Sequence, residues 1–269
     1  MNTNNPKCKN VQFLTKGGQK EVYRADHDDY GAVVIKEGVF QSLSSLERIK
    51  REVDFLRSVK NNFFPQNYEF NIDLSNNQFS IVEEFIDSEN LYTASSRFET
   101  EESITQLFMT LINALSILWQ QNIIHRDLKP DNILIRPTNE PVIIDLGIAR
   151  FLNKDSLTKT LQMMGPCTPN YASPEQLLNQ KNAISVRTDF YSLGIVFFEL
   201  AFKVHPFDPQ KVGGASIPEN IITNKRLNAR QFNKFSNNFI VLLDKLLSHQ
   251  PYLRFRTYMD LAKYVKERW

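Results

Sequence analysis

Cysteine is nearly absent from this chain of 269 residues, which carries only Cys8 and Cys167. Two cysteines in unrelated settings build no disulfide framework, so a reducing compartment is the simpler reading. Histidine is scarce as well: His27, His205 and His249 show no ligand spacing, and no zinc site is proposed from them. An excess of either charge is also missing. With 32 Lys and Arg against 30 Asp and Glu, the formal charge is +2, which argues against a general surface for nucleic acid or anionic membrane. There is no long apolar run. The most apolar segment, Phe190 to Phe202, is interrupted by Glu199 and is too short to cross a bilayer. Residues 1–10 are polar and Asn-rich, and read as a flexible tail, neither signal peptide nor anchor. Repeats and low-complexity tracts are not seen. A soluble cytoplasmic protein is the expectation that remains.

What is present is a large apolar content, 42% hydrophobic and 12% aromatic, enough for a sizeable core in one domain or in two closely joined lobes. Its chemistry concentrates in His125-Arg126-Asp127-Leu128-Lys129-Pro130-Asp131-Asn132, followed by Asp145-Leu146-Gly147. That stretch offers a carboxylate, an ammonium and an amide on one turn stiffened by Pro130, then a second carboxylate able to face them. Phosphoryl transfer needs a phosphate held in line, its charge neutralised and an attacking hydroxyl oriented. Asp127 is suited to orient the hydroxyl, Lys129 to sit beside the transferring group, and Asn132 with Asp145 to offer hard oxygen ligands to Mg²⁺.

The loop HRDLKPDN with the downstream DLG resembles the catalytic and metal loops of the eukaryotic-type Ser/Thr protein kinases. The resemblance runs from about Val11 onward and implies an α+β, two-lobed fold with a small β-rich N-lobe over residues 11–86 and a larger helical C-lobe over residues 87–269. It implies ATP and Mg²⁺ as cofactors and protein substrates, with a regulatory partner as a further expectation and neither nucleic acid nor membrane as a partner.

Three strand-like runs open the chain, Val11 to Leu14, Glu21 to Ala25 and Ala32 to Lys36. The turn after the first resembles the kinase glycine-rich loop, but with Thr15, Gly17 and Lys20 against the family's three glycines. Gly17 and Gly18 keep some of the freedom that lets backbone N–H groups cradle phosphate. Lys20 can substitute a cation for the lost backbone contact, though a solvated turn residue is the plainer reading. The resemblance makes Lys36 the nucleotide lysine and pairs it with Glu52, on a helix whose Leu46, Ile49, Val53 and Leu56 recur at helical steps. Two strands around an Asn76-Asn77 turn follow. The extended stretch Glu84 to Asp87 then resembles the hinge, whose backbone meets adenine through the Glu84 carbonyl and the Ile86 N–H. Glu83 falls at the back of that pocket, where a carboxylate is unusual. Leu14, Val22, Val34 and Leu134 match apolar nucleotide contacts, with core packing as the alternative.

Beyond the hinge Thr100 caps a helix with Ile104, Leu107, Phe108, Leu111, Leu115 and Leu118 on one face. The segment Thr168-Pro169-Asn170-Tyr171-Ala172-Ser173-Pro174-Glu175 resembles the end of the family's activation segment. In the Ser/Thr-specific class its threonine, here Thr168, helps hold the catalytic aspartate and Lys129. Thr158 and Thr160 resemble paired autophosphorylation sites, with Arg126 as the receiver of the phosphate. Asp189 opens a helix apolar nearly all round, expected as core and as a brace beneath the catalytic loop. Arg254 resembles the arginine that pairs with Glu175. Two rival readings stay open: a nucleotide-binding scaffold that transfers nothing, supported by the altered glycine loop, and a small-molecule phosphotransferase.

Overall fold

The computed structural model of the chain describes residues 5–17, 20–146, 150–151 and 168–269. It divides into two compact units, Met1–Ser88 with Val142–Gly147, and Glu89–Pro141 with Ile148–Trp269. The first is rich in strand and the second in helix, which is the α+β arrangement expected.

In the first unit the strands β1 (Cys8–Gly17), β2 (Lys20–His27), β3 (Gly31–Val39), β4 (Asn67–Asp73) and β5 (Gln78–Glu84) form one antiparallel sheet in the order β1-β2-β3-β5-β4. The first strand begins inside the stretch expected as a tail: Cys8 pairs with His27 and Lys9 with Asp26. It is an edge strand with little burial, held by its backbone ladder and by exposed ion pairs such as Lys9 to Asp28 at 2.6 Å. Hydrophobic periodicity does not reveal a strand of that kind. The turn between β4 and β5 closes on Asp73, whose carboxylate accepts from the Ser75 N–H at 2.9 Å and the Asn76 N–H at 3.2 Å, while Asn77 takes φ of 53°. Side-chain bonds from Ser75 Oγ and from Asn76 Nδ2 at 2.7 Å, with the Asn76 N–H after them, hold the Asp73 carboxyl down to about 2.

Helix α1 (Leu43–Ser58) starts at a capping box in which Ser42 and Ser45 exchange side-chain to backbone bonds. Its buried side carries Leu46, Ile49, Val53 and Leu56, as their spacing predicts, and Glu52 with them. This face packs on Phe79 and Ile81 of the sheet and on Phe40, which follows β3. Each of those aliphatic side chains contributes roughly 1.5–3 kcal/mol through burial. The other face of the sheet buries Ala25, Val33, Ile35 and Val82.

The second unit contains β6 (Glu89–Asn90), α2 (Glu101–Gln120), β7 (Ile123–Ile124), β8 (Ile133–Ile135), β9 (Pro141–Ile143), which runs across the boundary, and β10 (Arg150–Phe151). Then come α3 (Pro174–Leu177), α4 (Val186–Phe202), α5 (Pro209–Val212), α6 (Ile217–Ile222), α7 (Asn237–Leu246) and α8 (Tyr258–Lys266). Thr100 caps α2 by accepting from the Ser103 N–H at 3.1 Å, and the six apolar positions read from the sequence are all buried. Almost all of α4 is buried, as its all-round apolarity predicts. A Cβ on its Gly194 would come within 2.9 Å of the Leu246 side chain, so the absence of a side chain there sets how closely α4 and α7 approach. Among the described residues no helix is long and apolar enough to cross a membrane.

Candidate active site

Sheet pleating decides which side chains of the first unit meet. Val22 lies opposite Lys36 and Val34 opposite Glu83, so Lys20, Val22, Val34, Lys36 and Glu83 share one face, the face that α1 covers. Lys36 and Glu83 are diagonal neighbours on adjacent strands, a separation that long side chains span.

Lys36 Nζ accordingly contacts Glu83 Oε2 at 2.6 Å. This corrects the expected Lys36–Glu52 pair. Burial works against the charge on Lys36, but Glu83, Glu52 and Asp145 together outweigh it and hold the ammonium above the usual lysine value. Glu52, only 2% exposed, has no hydrogen bond to either carboxylate oxygen among the described residues. Its ion-pair contact is Lys20 Nζ at 3.6 Å, and burial pushes its carboxyl above the usual glutamate range. Lys20 also stands 3.5 Å from Asp145 Oδ1. The solvated-turn reading of Lys20 is therefore replaced: its side chain is 19% exposed and lies between two carboxylates.

The remaining nucleotide candidates of this unit differ in their exposure. Leu14 is exposed on β1, and Gly17 ends that strand opposite Lys20. Gly18 lies outside the described residues. Val22 and Val34 are half-buried on the Lys36 face. At the proposed hinge the Glu84 N–H donates to the Gln66 carbonyl at 2.9 Å, and Ile86 is buried with its carbonyl accepting from Ser88 Oγ at 3.0 Å.

The second unit gathers Asp127, Lys129, Asn132 and Thr168. Asp127 Oδ1 accepts from the Thr168 N–H at 2.9 Å, and Oδ2 accepts from Asn132 Nδ2 at 3.1 Å. Lys129 Nζ donates to Thr168 Oγ1 at 2.8 Å and lies 3.4 Å from Asp127 Oδ2. Thr168 thus positions both the carboxylate and the ammonium, the role that the resemblance gave it. Asn132 Nδ2 also donates to the Asp127 carbonyl at 2.8 Å, so its amide nitrogen is committed and its oxygen is the atom able to accept or to ligate. Leu134, on β8, belongs to this unit too.

The turn that carries these groups is held from below. Asp189, fully buried at the start of α4, accepts from the His125 N–H at 2.9 Å, the Arg126 N–H at 2.9 Å and Trp119 Nε1 at 2.8 Å. The carbonyl of Arg126 accepts from Gln176 Nε2 at 2.8 Å. Bonds on both its peptide groups hold Arg126 at φ of 72°, a left-handed conformation that a bulky side chain adopts only when its surroundings impose it. Trp119 was not singled out by the sequence reading; its position next to the last residue of α2 was the available signal.

Glu175 is locked to Arg254, with bonds of 2.7 and 3.0 Å between the two forks, and both side chains at most 1% exposed. Arg254 also donates to the carbonyls of Ser248, Arg187 and His249. Thr158 and Thr160, like Cys167, lie outside the described residues.

Each of the two expected metal ligands, taken by itself, offers the hard oxygen that magnesium takes. Asp145 presents a carboxylate whose side chain is 47% exposed, and an ammonium already stands 3.5 Å from it, so the position accommodates positive charge. Asn132 supplies an amide oxygen of the same hard character. Among the described residues no group of three or more His, Cys, Asp or Glu side chains is placed to hold a metal.

A family model described as protein kinase domain matches residues 8–269. The chain is 36% identical over 130 residues to the probable serine/threonine-protein kinase PknB of Lactococcus lactis, a stretch that is 48% of this chain and 20% of that protein. It is 29% identical over 212 residues to the probable serine/threonine-protein kinase pknA2 of Bifidobacterium longum, covering 74% of this chain and 27% of that one. To the serine/threonine-protein kinase pkn2 of Myxococcus xanthus it is 30% identical over 206 residues, 72% of this chain and 24% of the other. The chain spans about a quarter or less of the length of these relatives.

Proposed function

Because the chain belongs to the protein kinase domain family, we propose that it is an ATP-dependent serine/threonine protein kinase that transfers the γ-phosphate of MgATP to hydroxyls of protein substrates. The observation that carries this reading is the Asp127, Lys129 and Thr168 arrangement, with Asp127 Oδ1 fixed by the Thr168 N–H at 2.9 Å and Lys129 on Thr168 Oγ1 at 2.8 Å. Asp127 orients the incoming hydroxyl and receives its proton, while Lys129 offsets charge on the phosphate in flight. Asn132 and Asp145 are the metal ligands, and magnesium, when bound, neutralises the phosphate oxygens. Lys36 and Glu52 belong to the nucleotide machinery, with Leu14, Gly17, Gly18, Val22, Val34, Leu134 and the backbone of Glu84 and Ile86 as nucleotide contacts. In this reading the domain runs over residues 11–269 with its lobes meeting near Ile86, Thr158 or Thr160 is autophosphorylated, and the protein acts in the cytoplasm, with a regulatory partner supplying the input signal.

The scaffold reading draws on the Lys36–Glu83 contact, which ties up the nucleotide lysine. Incubation with labelled ATP and Mg²⁺ separates the readings. Label is expected on Ser or Thr of a generic basic protein or of the chain itself, and should fall by about a hundredfold or more in Asp127→Asn and in Asp145→Asn. Nucleotide binding without transfer would overturn the kinase in favour of the scaffold, and label confined to small metabolites would overturn it in favour of the third reading.

A further inference from the structure

Five charged groups crowd the α1-covered face of the sheet: the ammoniums of Lys20 and Lys36 and the carboxylates of Glu52, Glu83 and Asp145. Their contacts are unequal. Lys36 meets Glu83 at 2.6 Å, and its side chain is 10% exposed. Lys20 stands off at 3.6 Å from Glu52 and 3.5 Å from Asp145, and is 19% exposed. A tight, desolvated pair is costly to break, whereas an ammonium at the margin of ion-pair distance from two acids can move at little loss. The more accessible cation is therefore the one on β2, not the one on β3.

Glu52 supports the same assignment. It is buried on α1 with neither oxygen hydrogen-bonded among the described residues, an arrangement that is unfavourable unless a cation faces it. Lys20 is that cation. The glycine-rich turn supplies the need for it, since Thr15 and Lys20 stand where freely approaching backbone would otherwise reach phosphate.

Resting on the kinase reading, we propose that Lys20 is a phosphate-contacting lysine for the bound nucleotide, that Glu52 is its positioning residue, and that Glu83 holds Lys36 back as the secondary cation. The Lys20 ammonium, 3.6 Å from Glu52 and 3.5 Å from Asp145, is a charge-assisted donor for a phosphate oxygen. As a compact point charge on a flexible stem, it needs only a short excursion from Asp145 to a phosphate oxygen.

Affinity for MgATP and for adenosine, measured by displacement of a fluorescent nucleotide, tests this in the whole chain, with melting curves as a check on folding. Lys20→Met should weaken MgATP by about tenfold or more and leave adenosine within about twofold. Lys20→Arg should restore most of the loss, and Lys36→Met should weaken MgATP less than Lys20→Met does. If Lys20→Met fails to fold, Lys20→Gln takes its place with the same expectation. MgATP affinity unchanged in these variants would overturn the lysine assignment and leave the kinase reading standing. An equal loss for adenosine would overturn it too, by showing damage to the whole site. Wild type that binds MgATP with the expected variant pattern but transfers nothing would overturn the kinase reading alone, and wild type that binds no nucleotide would overturn both.

Discussion

Replacing Asp189 by Asn is the most informative single change in the second unit, because it alters one atom in a carboxylate that serves three donors. Oδ2 accepts from Trp119 Nε1 and the His125 N–H, and Oδ1 from the Arg126 N–H. An amide has one oxygen. Turned to keep Trp119 and His125, it aims its own N–H₂ at the Arg126 N–H, so one charge-assisted bond is lost and two donors oppose each other. That costs about 2–3 kcal/mol. An opposing effect exists: burial pushes the Asp189 carboxyl above the usual aspartate range, so a neutral amide is easier to bury. That relief offsets part of the cost, so the net loss stays below about 2–3 kcal/mol. Asp189→Ala strands all three donors and should lose about 3–6 kcal/mol, a large share of the roughly 5–15 kcal/mol available to a domain. Urea unfolding measures these losses, and phosphoryl transfer at a temperature where every variant is folded measures the catalytic effect. Without its clamp the strained Arg126 peptide should relax, and transfer by Asp189→Asn should fall at least about tenfold, since Asp127 is the next residue. An Asp189→Asn protein with the unfolding midpoint and turnover of wild type would refute this account of the loop, as would an Ala variant more stable than the Asn variant.

Two further outcomes follow from buried charges. His205 is pushed down to about 4 by burial, against the Asn170 carbonyl and Asp208, which favour its charged form. Its folded value is thus depressed below an unfolded value near 6.5, so its contribution is complete above about pH 6.5 and is lost as pH falls toward 4; at pH 5 the loss is about 2 kcal/mol. His205→Gln should flatten the stability profile between those limits relative to wild type, and an unchanged slope in urea titrations would count against it. Breaking the Glu175–Arg254 pair with Glu175→Gln should cost about 3–5 kcal/mol and respond little to salt, since the pair is buried. A loss that vanishes in high salt would show instead a solvated pair.

How much of this was legible beforehand depended on whether the signal was local. The turn that gathers Asp127, Lys129 and Asn132 could be read as one candidate site because its groups lie within eight consecutive residues, and the faces of α1 and α2 could be read because helical spacing repeats. The partner of Lys36 could not be read from either. It depends on the register that sets Val34 against Glu83, which the sequence does not display, although alternation along β5 would have placed Glu83 and Ile81 on one face. Lys20 was misjudged for a related reason: its turn looks solvated until α1 brings Glu52 above it. The strand at Cys8 to Asn10 stayed hidden because an exposed edge carries no apolar pattern. Glu175 and Arg254 met as the resemblance implied, although Gln250 replaces the usual acid near the arginine.

The guanidinium of Arg254 has five N–H bonds to give, and two go to Glu175 while three go to the carbonyls of Ser248, Arg187 and His249. Nothing is left over for solvent, and no ordinary acidity or alkalinity removes the charge. Three stretches of the chain, at Glu175, at Arg187 and from Ser248 to Arg254, are consequently riveted at one atom group, and none can fray by itself. Breathing motions that expose the amides around Glu175 to exchange must loosen the turn at Ser248 to Arg254 in the same event, so these regions share one clock.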